Sequence, residues 1–255
     1  MGEPTNSRTV KSVQNGFEII EFLKNTDGAS ITNIADELNL AKSTVYQQLS
    51  TLSKLGYVVQ EEDAYHVGLK FLDIGEMART RRHVYNLAEP LVEDLASESE
   101  ERAQFFAEEN GRGIYIHTEQ GIHAVQTGRR VGKQRYLHSS AGGKAILAFL
   151  SEQRVDKIIG RWGLPQETTN TYTTRESLEE NLSKIRDRRY SVNKAESIDG
   201  LWAIGVPVLR PDDTPAGALS ISGPRHRIKS DKNRQELIEL LLTTANELEL
   251  KLAYE

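Results

Sequence analysis

The sequence predicts an α+β chain in two parts, and three observations carry that prediction. Residues 13–67 hold three segments with apolar residues at helical spacing, followed by a glycine and two short apolar runs. Residues 69–82 read as one helix that is apolar on more than one side. Beyond residue 83, strand-like runs come in series with helical segments grouped between them, the pattern of an antiparallel sheet carrying helices. At 255 residues the chain has room for one small and one ordinary domain. The expected boundaries are 1–68, 69–82 and 83–255.

The first helix is expected from about Val13 to Lys24, with Phe17, Ile20 and Leu23 at helical spacing and Asp27-Gly28 as the stop. Ser30 or Thr32 can cap the second, whose inward face is Ile31, Ile34, Ala35 and Leu38, and Asn39 suits a left-handed turn. Lys42 or Ser43 opens the third. Its Val45, Leu49 and Leu52 fall at i, i+4 and i+7 and face the core. Gly56 ends that helix, and Tyr57-Val58-Val59 pairs with Tyr65-His66-Val67 as a hairpin. These parts make a winged helix-turn-helix, which presents a helix to the major groove of double-stranded DNA.

The outer face of the third helix holds Ser43, Gln47 and Ser50, with Lys42, Thr44 and Tyr46 beside them. Hydroxyls, an amide, a phenol and a cation bond base edges and phosphates. A merely solvated face is usually dense in Glu and Lys, whereas no acid stands between Leu40 and Gln60. Charge balance pulls the other way. The net charge is −5, and residues 1–82 carry nine Lys/Arg against eleven Asp/Glu, so long-range attraction to phosphate is weak. The hairpin tip, Glu61-Glu62-Asp63, is acidic and is expected to sit away from the DNA backbone.

The segment Leu69 to Arg82 places Leu69, Phe71, Leu72, Ile74 and Met77 around much of a helix. A second copy of the chain would cover the faces its own domain leaves open. The larger domain then begins with a helix bearing Leu87, Leu91, Val92 and Leu95. Strands are expected at 103–108, 113–117 and 122–127, with Asn110-Gly111 as a hairpin turn between the first two. Helices at 142–149 and 177–189, strands at 191–194, 203–208 and 217–222, and a last helix from Asp231 to about Leu252 complete the reading.

Two features of this domain suit a small molecule. Ser139, Ser140, Ala141 and Gly142 stand at a helix N-terminus, where free N–H groups favour an anionic group, although serines there also serve as plain caps. Ser220 and Ser222 share one face of a strand, about 7 Å apart. Competing chemistry lacks its residues. The GGKA segment has no leading phosphate-loop glycine, and Ala145 follows Lys144 where Ser or Thr is required. Ser140 and Lys144 are four apart rather than three, and no Gly-x-Ser-x-Gly elbow occurs. The six histidines form no metal-like pair on one helix, and with Cys at 0 there is no thiolate site. No catalytic constellation, metal site or cofactor motif is therefore expected. The mean hydropathy is −0.51, and no apolar run approaches the roughly 18 residues of a membrane span. With no apolar leader in MGEPTNSRTVKSVQ, a cytoplasmic protein is expected.

Five stretches in order, SVQNGFEIIEFL, KSTVYQQLSTLSKLGYV, LHSSAGGKAILAFL, RYSVNKAESIDGLWAIGVPV and GALSISGPRHRI, make the chain resemble the IclR family of transcription regulators over essentially its whole length. The resemblance implies a winged helix, a linker helix and a GAF-like effector domain. It also implies dimers or dimers of dimers on palindromic operators, and effectors that are organic acids, aromatic acids or sugar-derived metabolites. By position, the effector pocket falls on Thr127, Arg135, Ala141, Gly142, Asn193, Leu201, Ala203, Ser220 and Ser222. Asn193 stands where an acid is frequent in the family, and Arg135 where an apolar residue can occur, so the pocket favours an anion such as a sugar acid. DNA contacts fall on Lys42, Ser43, Thr44, Tyr46 and Gln47, with Thr32 nearby and Arg8, Lys11 and Ser12 as an arm. Gln47 replaces a common basic residue and suits adenine.

The expectation is a metabolite-responsive DNA-binding regulator rather than an enzyme. Two alternatives remain at this point: a constitutive DNA binder whose second domain only assembles, and an enzyme whose winged helix is an interaction module.

Overall fold

The structure is a computed structural model, and it describes residues 9–125, 128 and 130–254. Arg8 and Thr127 lie outside the described residues.

The N-terminal unit comprises α1 (Lys11–Lys24), α2 (Ile31–Glu37), α3 (Lys42–Lys54) and a hairpin of β1 (Val58–Glu61) and β2 (Ala64–Val67). Its core is Ile19, Leu23, Ile34, Ala35, Val45, Leu49, Val58 and Tyr65. Helix α1 starts two residues earlier than its apolar spacing indicates, so Lys11 and Ser12 are helical and do not form an extended arm. Phe17 is 61 % exposed; Ile19, Ile20 and Leu23 make the buried face instead. Ser30, not Thr32, caps α2, its Oγ accepting the Asn33 N–H at 3.3 Å. Asn39 takes the left-handed conformation at φ 51°.

Helix α3 ends in a Schellman motif. Gly56 has φ 80°, its N–H donates to Ser53 O at 3.0 Å, and the Tyr57 N–H donates to Leu52 O at 2.9 Å. This geometry turns the chain straight into β1. The wing closes through a two-residue turn at Glu62-Asp63, tighter than the sequence indicates, and Ala29 bridges Tyr65 as a third short strand contact.

Helix α4 (Lys70–Thr80) is held to the turn between α3 and β1 by the Tyr57 and Phe71 rings, 5.0 Å apart, and by Lys70 Nζ donating to Leu55 O at 3.0 Å. None of its residues is buried, and Leu72 and Met77 are 68 % and 69 % exposed. The chain divides into two compact units between Ala78 and Arg79, inside this helix.

The second unit is built on one antiparallel sheet. Its strands are β3 (Arg102–Glu109), β4 (Arg112–Gln120), β5 (Gln134–Arg135), β6 (Ser191–Lys194), β7 (Leu201–Leu209) and β8 (Pro215–Pro224), in the order β5-β4-β3-β8-β7-β6. Asn110 and Gly111, at φ 54° and 81°, form the tight turn between β3 and β4. Helices α5 (His83–Ser99) and α10 (Asp231–Tyr254) cover one face through Val92, Leu95, Leu241 and Leu248. Helices α6 (Ala141–Ala148), α7 (Glu152–Trp162) and α8 (Arg175–Arg188) cover the other through Ile146, Leu147, Val155, Ile158 and Leu182. A short α9 (Arg225–Ile228) follows β8.

The central strands are buried on both faces, as three layers require. The strand expected at 122–127 does not form over its described part: residues 122–125 lie in turn and irregular backbone, with Ile122 80 % exposed. Helix α7, strand β5 and helix α9 are additions to the expected elements.

Candidate DNA-contacting face and buried cavity

On α3 the inward residues Val45 and Leu49 are fully buried, which turns Lys42, Ser43, Tyr46 and Gln47 outward. Thr44 and Ser50 are half-buried at the edges of that face. The side chains of Ser43, Tyr46 and Gln47 make no hydrogen bond among the described residues, so their polar atoms are available to another molecule. Lys11, Ser12 and Thr32 are exposed in the first turns of α1 and α2. Glu61, Glu62 and Asp63 are exposed at the wing tip.

The cavity lies between the sheet and the start of α6. Gln104 and Phe106 of β3, Tyr115 of β4, Asn193 of β6, Ala203 of β7 and Ser220 of β8 form the sheet side; Ser140, Ala141 and Gly142 form the helix side. Two glycines let α6 sit this close. A Cβ on Gly205 of β7 would come within 2.6 Å of the Ala141 backbone, and one on Gly142 within 3.2 Å of Phe106. The space left is about 10 Å³ at the centre of a water-sized sphere, room for one water molecule.

Ser140 caps α6: its Oγ accepts the Gly143 N–H at 3.2 Å and donates to Tyr136 O at 3.2 Å. The N–H groups of Ala141 and Gly142, at the first two helical positions, have no acceptor within the helix. Asn193 is engaged at both ends of its amide. Its Nδ2 donates to Ser139 O at 2.5 Å, and its Oδ1 accepts the Glu196 N–H at 2.9 Å. Ser139 donates its hydroxyl to Glu167.

Of the positions expected around an effector, Ser140, Ala141, Gly142, Asn193, Ala203 and Ser220 line the cavity. Ser222 does not; it is buried one step along the same sheet face, and its Oγ has no partner among the described residues. Leu201 is buried at the start of β7, opposite Pro224, and Ser139 is buried behind the helix cap; neither lines the cavity. Arg135 does not point to solvent. Its side chain is 16 % exposed, with Nη1 3.8 Å from Glu167 and with Nε and Nη2 buried and unpartnered.

Gln104, Phe106 and Tyr115 were not anticipated. The available signal was a single amide in the apolar run Ala103–Ala107, every residue of which is buried. Two residues earlier on the same face, Arg102 is buried as well, with Nη2 donating to Val125 O at 3.0 Å, and burial pulls its pKa down.

Behind α6, Lys144 is fully buried. Its Nζ meets both oxygens of Glu196, at 2.6 and 2.7 Å, and donates to Val192 O at 2.9 Å. Burial pushes the ammonium pKa down and Glu196 opposes it. Together with the Asn193 bridge, this pair fixes the loop after β6 to the helix that carries the cavity's free N–H groups. Among the described residues no group of His, Asp and Glu could hold a metal ion, and no helix is long and apolar enough to cross a membrane.

A winged helix with an exposed polar α3 face, followed by an α/β unit with an internal cavity, is the architecture of a DNA-binding transcription regulator. Residues 77–250 match the family model described as "Bacterial transcriptional regulator IclR C-terminal", and residues 12–62 match the IclR helix-turn-helix domain. The chain belongs to the IclR family of transcriptional regulators.

It is 32% identical over 255 residues to the "Probable HTH-type transcriptional regulator ArcR" of Halobacterium salinarum, covering 98% of this chain and 96% of that one. The crystal structure of the Thermotoga maritima IclR superposes with a TM-score of 0.81 at 28% identity, over 96% of this chain and 99% of that one. An IclR homologue from Microbacterium hydrocarbonoxydans, solved with 4-hydroxybenzoate, has a TM-score of 0.79 at 19% identity, over 94% and 98% of the two chains.

Proposed function

We propose that this chain binds a palindromic operator as a homodimer through α3 and adjusts that binding in response to a small anionic metabolite held between α6 and the sheet. The observation that carries the sensing half is the cavity itself, lined by Ser220 and by Ala141 and Gly142, whose N–H groups have no acceptor within the helix. Helix N–H groups stabilise a carboxylate without a cation. The complex of the Microbacterium hydrocarbonoxydans homologue with 4-hydroxybenzoate supports an organic acid as the class of ligand.

The DNA-binding half rests on Lys42, Ser43, Tyr46 and Gln47, exposed on one helix with no acid beside them. The dimer is supported by the apolar side chains that the first unit leaves uncovered, Val13 and Phe17 on α1 and Leu72 and Met77 on α4. Such a dimer supplies the affinity that the acidic composition withholds. Arg8 and Thr127 remain candidates by position alone.

Footprinting on the gene's own upstream region, with and without a panel of sugar acids and aromatic acids, tests the proposal. A protected palindrome whose occupancy changes with one acid supports it. A footprint indifferent to every acid, with no thermal stabilisation by any of them, favours the constitutive reading, for which the closed cavity is the one structural argument. A ligand at about 100 times its Kd adds roughly 2.7 kcal/mol to stability, well within detection.

A further inference from the structure

We propose that a second cavity of the sheet unit, between the start of α5 and the β7–β8 turn, binds a phosphate group, free or carried by a small ester, through Arg82 and Arg210. This cavity is separate from the space under the first turn of α6, and the two share no lining residue. The proposal stands whether or not that other space takes an effector.

The cavity measures about 240 Å³. At roughly 30 Å³ per water molecule, this is room for a phosphate with a body of a few carbons. Ile146 and Leu150 give it an apolar wall, and Arg82, Glu108, Arg210 and Thr214 a polar one.

The charges decide the guest. Glu108 is already engaged: its Oε1 accepts from Arg154 Nη2 at 2.6 Å and from the Gly111 N–H at 2.7 Å. The neighbouring Glu109 pairs with Arg81. Asp212, in the β7–β8 turn, accepts the Thr214 hydroxyl at 2.6 Å and the Thr214 N–H at 3.1 Å. Arg82 and Arg210 are left without a carboxylate among the described residues. Arg210 Nη1 donates to Pro215 O at 2.8 Å and to Thr214 Oγ1 at 3.3 Å, two neutral acceptors that hold the side chain in place. Arg82 is exposed, with its guanidinium over the Tyr85 ring at 5.8 Å, and its side chain makes no hydrogen bond among the described residues. The Tyr85 phenol senses both cations: burial raises its pKa, and Arg82, Arg81 and Arg210 pull it down.

Two guanidinium groups at one hollow are an uncommon arrangement for a chain of net charge −5. Arginine forks bond phosphate oxygens in pairs. A phosphate concentrates a charge of about −1.5 to −2 on one compact group at pH 7. A dicarboxylate spreads the same charge over two ends, one of which would meet the apolar wall.

The test is calorimetric titration of the full-length chain with glycerol 3-phosphate, inorganic phosphate, succinate and glycerol at fixed ionic strength. Both phosphates are expected to bind saturably, and glycerol not at all. Equal affinity of the two phosphates assigns the site to the free ion, and tighter binding of the ester assigns it to a phosphorylated metabolite. Arg82→Gln and Arg210→Gln are each expected to weaken phosphate binding about tenfold or more, because hydrogen bonds between charged groups are the strong ones. The unliganded Tm of Arg82→Gln should match the wild type, since that side chain has no protein partner to lose. Arg210→Lys keeps a donor for Pro215 O but loses the fork, and should weaken binding in a chain that still folds.

No saturable binding of either phosphate, binding unweakened in Arg82→Gln or in both Arg210 variants, or tighter binding of succinate than of both phosphates would each overturn the proposal. None of these outcomes bears on the cavity under α6.

Discussion

Arg79, in the last turn of α4, donates from Nη1 to Nδ1 of His117 on β4 at 2.9 Å. Arginine only donates, so the imidazole proton sits on Nε2, which donates to Tyr85 O on α5 at 2.6 Å. Arg79 also pairs with Glu89 of α5 at 2.8 Å. Arg79 thereby ties the last turn of α4 to a strand of the sheet and to the helix behind it.

This junction is predicted to carry the response. His117→Phe removes both imidazole bonds. It is expected to leave operator affinity without ligand within about threefold, while reducing the ligand-induced change from the usual 5–150-fold to less than about threefold. Gel-shift titrations with and without ligand measure both numbers; an undiminished response in the variant excludes the junction as the route.

On α3, Gln47→Ala is expected to cost about 1–3 kcal/mol of operator binding and to relax discrimination at one base pair. Lys42→Ala should weaken binding to all sequences alike and lower the salt slope by about 1. Intact operator binding in both variants would show that another surface meets the DNA.

The Lys144–Glu196 pair is predicted to matter as a pair. Lys144→Met strands a buried carboxylate and should cost about 3–5 kcal/mol, whereas adding Glu196→Leu should recover most of the loss. Urea unfolding of the two variants and the wild type decides this. A double variant no more stable than the single one would mean that the pair's bonds to Val192 O and the Lys194 N–H carry the energy.

His138 gives the stability an acid limb. Burial holds its pKa below the ordinary value, outweighing the pull of the Pro165 carbonyl bonded to Nε2 at 3.1 Å. As pH falls through about 6.5, the unfolded chain takes the proton first, so stability declines, by at most about 1.4 kcal/mol per pH unit. Above that range the contribution is intact. His138→Gln should flatten the decline between pH 7 and 5 in thermal melts; an unchanged slope would assign it to other groups.

The N-terminal unit was legible almost residue by residue, because local periodicity and local turn chemistry decide its form. Ile34, Val45 and Leu49 lie in its core, and Asn39 and Gly56 take the left-handed conformations that helix ends demand. Where pairing at a distance decides, the sequence is mute. Ile122 and Val125 have strand-forming side chains, but no strand pairs with residues 122–125, and they lie in turn and irregular backbone. Strand β5 is two residues long and exists only through its ladder with Gly113 and Ile114. Helix α7 was missed although its signal is local and clear: Val155, Ile158, Ile159 and Trp162 fall at i, i+3, i+4 and i+7. The serines of the cavity announced themselves at a helix start and along a strand. Gln104 did not, because its place in the wall depends on pairing with Ser220, 116 positions away.

Seated on Gly205 and Phe106, α6 leaves the cavity room for one water molecule. On the proposed reading, a guest larger than a water molecule would enter only when that helix and the sheet part, a motion of the microsecond-to-second kind. Under that reading, how much metabolite is needed and how long its presence is remembered would be set separately. Two ligands of equal affinity that wait on the same opening would then reset the promoter at the same pace, because the parting of helix and sheet would hold the clock.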